Sequence, residues 1–363
     1  MRFVFRADAS LAIGSGHVMR CLTLADELSA RGHSCVFVSR DLDGNLHGLV
    51  QARGYHLEIL HGRGPSYAPG EVAPFHAPWL EAPWQDDARA TRAIVETVGG
   101  DCVVVDHYGL DARWQDIVRT SVRRMIVWDD LADRPHHADV LIDQNLGRST
   151  ADYIPWLPST CHVLAGAQYA ILQPRYAQLR QASLTRRTHG RIEHVLVSMG
   201  GVDPDNATGA LLPYLNRAHL PDLERVTLVV GRHAPWLAAL RVAAAQATVP
   251  TEIAVAVTDL AERMASADLA FGGAGGTAWE RCCLGVPSVV VILAPNQRAG
   301  AQALARAGAA WVVPSVATIP HEVPALLQRL RAADTVCELS HHAAQVTDGL
   351  GARRVCDSLE SLV

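Results

Sequence analysis

Short apolar runs alternate along the chain with stretches in which apolar positions recur every three or four residues. Runs such as Cys102-Val-Val-Val-Asp106 are apolar without a break, as strands covered on both faces of a parallel sheet must be. In the first half the pattern predicts strands at Arg2–Arg6, Ser34–Ser39, His56–Leu60, Cys102–Asp106, Met125–Trp128 and Val140–Asp143. Between them, helical spacing predicts helices at Val18–Arg31, Asn45–Arg53, Gln85–Val98 and Asp111–Val122. Strands separated by helices argue for a parallel sheet with helices on both faces.

The pattern breaks between Ala151 and Arg191, where Pro155, Pro158 and Pro174 precede the polar run Gln181–Gly190, a composition suited to an interdomain connection. It then restarts. Strands are expected at Glu193–Ser198, Arg225–Val230, Glu252–Val257, Asp268–Phe271, Ser288–Leu293 and Ala310–Val313. Helices are expected at Asn206–Leu215, Ala234–Ala247, Asp259–Ala265, Ala278–Leu284, Arg298–Ala307 and Pro320–Ala332, and a last helical stretch at Asp334–Leu362 is broken near Asp348–Gly351. The expected architecture is α/β, with two Rossmann-like doubly wound domains facing a cleft. An N-terminal domain would occupy 1–165, a connection 166–190 and a C-terminal domain 191–335, with a helical segment at 336–363 packing back on the first domain.

Composition narrows the chemistry. The 363 residues contain no lysine; all 32 basic residues are arginine. Schiff-base and pyridoxal-phosphate chemistry and a lysine-bearing P-loop are therefore excluded. A net charge of −5 offers no bulk attraction to nucleic acid or to an anionic membrane. No apolar run is long enough to span a bilayer, and the charged start reads as a first strand rather than a signal peptide. The eight cysteines show no CxxC spacing and read as reduced core residues of a cytoplasmic protein.

Three glycine turns lie where a strand hands over to a helix. The first is Arg6-Ala-Asp8-Ala-Ser-Leu-Ala-Ile-Gly14-Ser-Gly16-His17, and Met19 stands where a dinucleotide fingerprint needs its third small residue. The second is Met199-Gly200-Gly201-Val-Asp203, and the third Gly272-Gly273-Ala-Gly275-Gly276-Thr277-Ala-Trp-Glu280. Bare amides at a helix start favour anions, and His17 has a side chain that can take a proton near neutral pH. Helix starts at Gly16, Gly201 and Gly276 would hold a diphosphate without metal or cofactor. Glu280 either accepts ribose hydroxyls or closes a capping box with Thr277. Asp8 either orients His17, binds a sugar hydroxyl or caps the turn. The adjacent pairs Asp129-Asp130 and His136-His137 match no metal-ligand spacing.

The pattern Phe5-Arg6-x-Asp8-x(4)-Ile13-Gly14-x-Gly16-His17-x-x-Arg20, followed by Asp106-His107-Tyr108-Gly109, Met199-Gly200-Gly201-x-Asp203 and Asn296-Gln297, resembles the UDP-2,4-diacetamido-2,4,6-trideoxy-β-L-altropyranose hydrolases of pseudaminic acid biosynthesis. More distantly it is similar to the GT-B glycosyltransferase that makes lipid II. The resemblance implies a GT-B fold with the nucleotide held by the C-terminal domain. It implies that His17 activates water, with Tyr108 in the active site, Glu280 on the ribose and Asn296 near the nucleotide-sugar. Arg6, Gly14, Gly16, Arg20, Asp106, Gly200, Gly201, Gly275, Gly276, Thr277 and Gln297 complete the expected substrate contacts, with Asp8 beside His17. The reaction expected is attack of water on the anomeric carbon with inversion, UDP leaving intact. The rivals are a GT-B glycosyltransferase and a non-catalytic nucleotide-sugar binding protein. A membrane-using transferase would carry an apolar or basic patch on its first domain; none is legible in the sequence, which favours the hydrolase.

Overall fold

The computed structural model describes residues 1–232 and 234–362. Its chain forms two compact units: residues 1–171 with the segment from Gly351 onward, and Leu172–Leu350.

The first unit contains β1 (Arg2–Ala7), α1 (Gly16–Ala30), β2 (Ser34–Arg40), α2 (His47–Ala52), β3 (His56–Leu60) and α3 (Trp84–Val98). β4 (Cys102–Asp106), α4 (Ala112–Val118), β5 (Arg124–Trp128), β6 (Val140–Asp143) and β7 (His162–Ala165) follow. The strands form one parallel sheet in the order β3-β2-β1-β4-β5-β6-β7. β1 alternates faces. Phe3, Phe5 and Ala7 pack with Val18, Cys21, Leu22 and Leu24 of α1, while Val4 faces the opposite core with Ala88 and Val95 of α3.

The second unit contains α5 (Pro174–Arg186), β8 (His194–Ser198), α6 (Ala207–Leu211), β9 (Arg225–Val230), α7 (Leu237–Gln246), β10 (Thr251–Val255) and α8 (Leu260–Ser266). It continues with β11 (Leu269–Gly272), α9 (Gly276–Cys283), β12 (Ser288–Val291), α10 (Arg298–Arg306), β13 (Trp311–Val313), α11 (Ile319–Arg329) and α12 (Ala333–Val346). Its parallel sheet runs β10-β9-β8-β11-β12-β13. In both sheets the order of strand addition reverses once, between β1 and β4 in the first and between β8 and β11 in the second. Open α/β sheets bind ligands at such switch points, outside the carboxyl ends of the strands.

Two expectations need correction. Residues 166–190 are not a connection: the boundary falls after Ile171, and most of the polar run belongs to α5. Pro174 takes the first helical turn, where its missing N–H removes no bond. The polar side chains tie α5 down: Arg180 donates to Ala344 O at 2.6 Å and Ser183 Oγ to Leu284 O at 2.7 Å. The segment 336–363 is likewise not one piece. α12 stays with the second unit, and only α13 (Gly351–Ser361) joins the first, where Val355, Cys356 and Leu359 enter the core beside α1.

Candidate functional site

In the first unit the switch point lies between β1 and β4; Asp106 ends β4, and His17 opens α1, the helix that follows β1. His17 is nearly buried, and its Nδ1 lies 2.6 Å from Asp106 Oδ1. Arg20, one turn further along α1, donates to both oxygens of Asp106, Nε at 2.6 Å and Nη2 at 2.7 Å. Its Nη1 reaches Asp130 Oδ2 at 2.5 Å, and its guanidinium lies 4.5 Å over the Trp128 ring. Asp130 also accepts from the Tyr108 hydroxyl, and the Tyr108 ring stands edge-on to His17 with centroids 4.6 Å apart. Trp79 stacks on Tyr108 at 5.7 Å. His17, Asp106, Arg20, Asp130 and Tyr108 thus form a closed ring of contacts.

Burial alone would raise the Asp106 carboxyl, but Arg20 and His17 outweigh it and hold it well below the usual carboxylate range. It is therefore ionised and accepts from Nδ1–H, which leaves Nε2 as the ring nitrogen not engaged by Asp106. Asp143, at the end of β6, behaves oppositely. Burial, then the charge of Asp130, push it up to about 7. Burial and Asp130 also hold the Tyr108 hydroxyl well above its ordinary value, so it remains a proton donor.

The structure places four of the expected site residues differently. Asp8 does not orient His17; Asp106 does. Asp8 is fully buried, with Oδ1 accepting from Arg6 Nη1 at 2.6 Å and the Arg40 amide at 2.7 Å. Arg6 is closed to ligands, because β1 turns it toward α3, where Asp87 accepts from its Nε at 3.1 Å and Nη2 at 2.7 Å. Arg20 and Asp106, expected as substrate contacts, bond each other, with His17 on Asp106 and Asp130 on Arg20.

In the second unit the turn after β11 is the open one. A methyl group added at Gly275 or Gly276 would meet nothing within 4 Å, and α9 begins there with no side-chain cap, leaving its first amides free of intrahelical partners. Gln297 Oε1 accepts from the amides of Ala274 at 3.1 Å and Leu293 at 3.3 Å, so it shapes the turn. Asn296 is exposed beside it. Glu280 closes no capping box: the N-cap is Gly275, and Glu280 lies too far into the helix. The Tyr176 hydroxyl bonds its carboxyl group, while Oε2 is buried with no partner. Burial, offset in part by Tyr176, pushes Glu280 up to about 7.

The turn after β8 differs from expectation. Gly200 and Gly201 are open to solvent, Gly200 with φ +96°. Yet the start of α6 is already occupied by Asp203, whose carboxylate accepts from the amides of Ala207 at 2.8 Å and Thr208 at 2.9 Å. No anion is needed there.

Residues 223–351 match the family model described as the glycosyltransferase family 28 C-terminal domain, a range that contains the turn at 272–280, Asn296 and Gln297 but not His17. The UDP-2,4-diacetamido-2,4,6-trideoxy-β-L-altropyranose hydrolase of Campylobacter jejuni is 22% identical over 206 residues, 57% of this chain and 62% of that protein. The match thus spans less than two thirds of that relative's length. The spore coat polysaccharide biosynthesis protein SpsG of Bacillus subtilis is 25% identical over 362 residues, 98% of this chain and 97% of SpsG. MurG of Acinetobacter baumannii has a TM-score of 0.70 at 17% identity over 99% of both chains. The chain has the GT-B fold.

Within that fold, several site residues escaped the sequence reading. Asp130 was noted only as half of an acidic pair, although a carboxylate just beyond a strand end was the available signal. It and Asp129 diverge, Asp129 turning to Arg134 at 2.8 Å. Tyr176 gave no local signal. The segment 63–81 also carries more than the sequence suggested: a cavity of about 670 Å³ lined by Pro65, Tyr67, Pro74, Phe75 and Pro78. Val72 and Phe75 on this segment are 85% and 81% exposed, so the first unit does present an apolar patch. Among the described residues no helix is long and apolar enough to cross a membrane.

Proposed function

We propose that the protein is a hydrolase that releases UDP from a UDP-linked 2,4-diacetamido-2,4,6-trideoxy sugar, with water attacking the anomeric carbon and the configuration inverting. The observation that carries this reading is the His17–Asp106–Arg20 arrangement: an imidazole whose Nδ1 is fixed by an ionised carboxylate, itself locked by two guanidinium bonds. His17 Nε2 takes the proton as the water oxygen bonds to the anomeric carbon, and the C–O bond to the diphosphate breaks with its electron pair leaving on UDP. The second unit holds the nucleotide, its diphosphate on the α9 amides and its ribose on Glu280. The likeness to the Campylobacter jejuni hydrolase supports the substrate class.

A second reading has its own observation. The apolar cavity at 63–81 suits the apolar part of an acceptor, which would make the protein a GT-B glycosyltransferase with a UDP-sugar donor. Incubation with UDP-sugars and no acceptor separates the two. The hydrolase releases UDP and free sugar, and in ¹⁸O-water the label enters the sugar. UDP release that waits for an added alcohol would establish the transferase, and label in the β-phosphate would overturn C–O cleavage. His17→Ala should lower turnover by roughly two to four orders of magnitude.

A further inference from the structure

Two buried arginines of the second unit, Arg187 and Arg281, face no carboxylate within ion-pair distance among the described residues. They differ in what surrounds them: Arg187 donates to the carbonyls of Ser183, Met264, Ala265 and Ala267, whereas Arg281 has one carbonyl and one hydroxyl and lies against the open turn after β11. Arg281 is 1% exposed. Its Nη2 donates to Gly273 O at 2.7 Å and its Nη1 to Thr277 Oγ1 at 3.3 Å, while Nε is buried with no partner. Gly272 makes room for it: a methyl group there would overlap Nη1 and approach Ser198 O at 2.9 Å. The guanidinium therefore sits under the switch point between β8 and β11, directly behind the open turn from Gly273 to Thr277.

A guanidinium keeps its charge in a protein, and an unpaired buried charge is costly. Burial pulls Arg281 below its ordinary value, and its sequence neighbour Glu280, itself pushed up to about 7, neutralises it only in part. Arg187 is compensated by the carbonyls that converge on it; Arg281 is left facing a turn whose far side is the uncapped start of α9. A countercharge arriving from outside resolves the imbalance.

We infer that Arg281 is the buried cation of an anion site at residues 273–277, paired through the turn with the diphosphate of a nucleotide and setting the preference for diphosphate over uncharged nucleoside. Arg281 acts on the ligand through the turn: it fixes the Gly273 carbonyl and Thr277 hydroxyl so that the amides of Gly275, Gly276 and Thr277 face outward, and its field adds to theirs. This rests on the assignment of the second unit to the nucleotide.

The test is calorimetric titration of the full chain with UDP, uridine and inorganic pyrophosphate, in wild type, Arg281→Met and Arg281→Gln. The glutamine variant keeps a polar amide, though not the reach to Gly273 O, and the methionine variant keeps the apolar stem; both lose the charge. Both variants should bind UDP roughly ten- to a hundredfold more weakly, the range for a lost charge-assisted contact. Uridine affinity should stay within about threefold of wild type, and the ligand-free melting temperature should not fall, because a costly buried charge is gone. Equal weakening toward UDP and uridine, or a large drop in ligand-free melting temperature in both variants, would show a merely structural residue and overturn the inference. Wild-type UDP affinity in Arg281→Gln would overturn it too. If the wild type ignores UDP and uridine, the nucleotide assignment fails, and the pyrophosphate titrations still decide whether Arg281 serves an anion.

Discussion

At the scale of single residues, the candidate residues of the two units are governed by opposite electrostatics. Asp106 is buried yet held ionised by Arg20 and His17, whereas Glu280 is buried without a cation in bonding range and rises to about 7. Asp106→Asn should therefore cut turnover by about a hundredfold or more, because an amide can neither accept strongly from Nδ1–H nor balance Arg20. The Michaelis constant should move only a few-fold; steady-state UDP release measures both, and an unchanged kcat would remove Asp106 from the mechanism. For Glu280 the sign of the pH effect is fixed by the raised value. Below the ordinary value of 4.5 the carboxyl is protonated folded or unfolded, and stability is unaffected. Between 4.5 and about 7 the unfolded chain ionises first, so stability falls as pH rises, by about 3 kcal/mol once the pH passes 7. Glu280→Gln should remove that part of the fall, seen as the difference between wild type and variant in urea titrations at pH 4.5 and 7.5; the fall added by the raised Asp143 carboxyl is common to both. If ribose hydroxyls bond the ionised form, UDP binding near pH 6.5 should also release a proton, measurable as a buffer-dependent binding enthalpy.

At the scale of elements, what the sequence made legible were strands long enough to be buried on both faces and the turns that follow them. β4 and β6 stand where their unbroken apolar runs place them. β7 was missed because it is a four-residue edge strand, paired only with β6 and following a proline-rich stretch that reads as coil. Arg6 and Arg20 were read as ligand contacts for a related reason: motif position shows that an arginine lies near a turn, not what it meets. Their partners arrive from other elements, Asp87 from 81 positions away and Asp130 from 110. The same non-locality hides the support of the turn after β8. Gly231, just beyond β9, touches the Gly201 carbonyl so closely that an added methyl group would overlap it. Gly231→Ala should therefore shift that turn and cost on the order of 1–3 kcal/mol by overpacking. A urea midpoint equal to wild type would show that the turn yields freely.

At the scale of the whole molecule, the chain order of the units matters. The first unit is discontinuous: after Ile171 the chain builds the entire second unit before α13 returns to complete the first. That return is held by core and surface together. Val355 and Cys356 are fully buried with Leu359 close behind, and Arg31 of the α1 C-cap bonds Asp357 at 2.7 Å and Glu360 at 2.9 Å. The exposed ion pairs contribute little, whereas burying the valine and leucine side chains contributes roughly 1.5–3 kcal/mol each. Their sum approaches the lower end of a domain's total stability, about 5 kcal/mol. A chain ending at Leu350 should accordingly lose the first unit's cooperative unfolding transition, or see it fall by tens of degrees, while the second unit keeps its sheet, its α9 turn and its own transition. Differential scanning calorimetry resolves the two, and UDP should still raise the surviving transition. Two transitions at wild-type temperatures in the shortened chain would mean that α13 caps the first unit without stabilising it. The proposed hydrolysis, assigned to His17 held by α1 against Asp106, should vanish with the first unit even though the nucleotide is still bound.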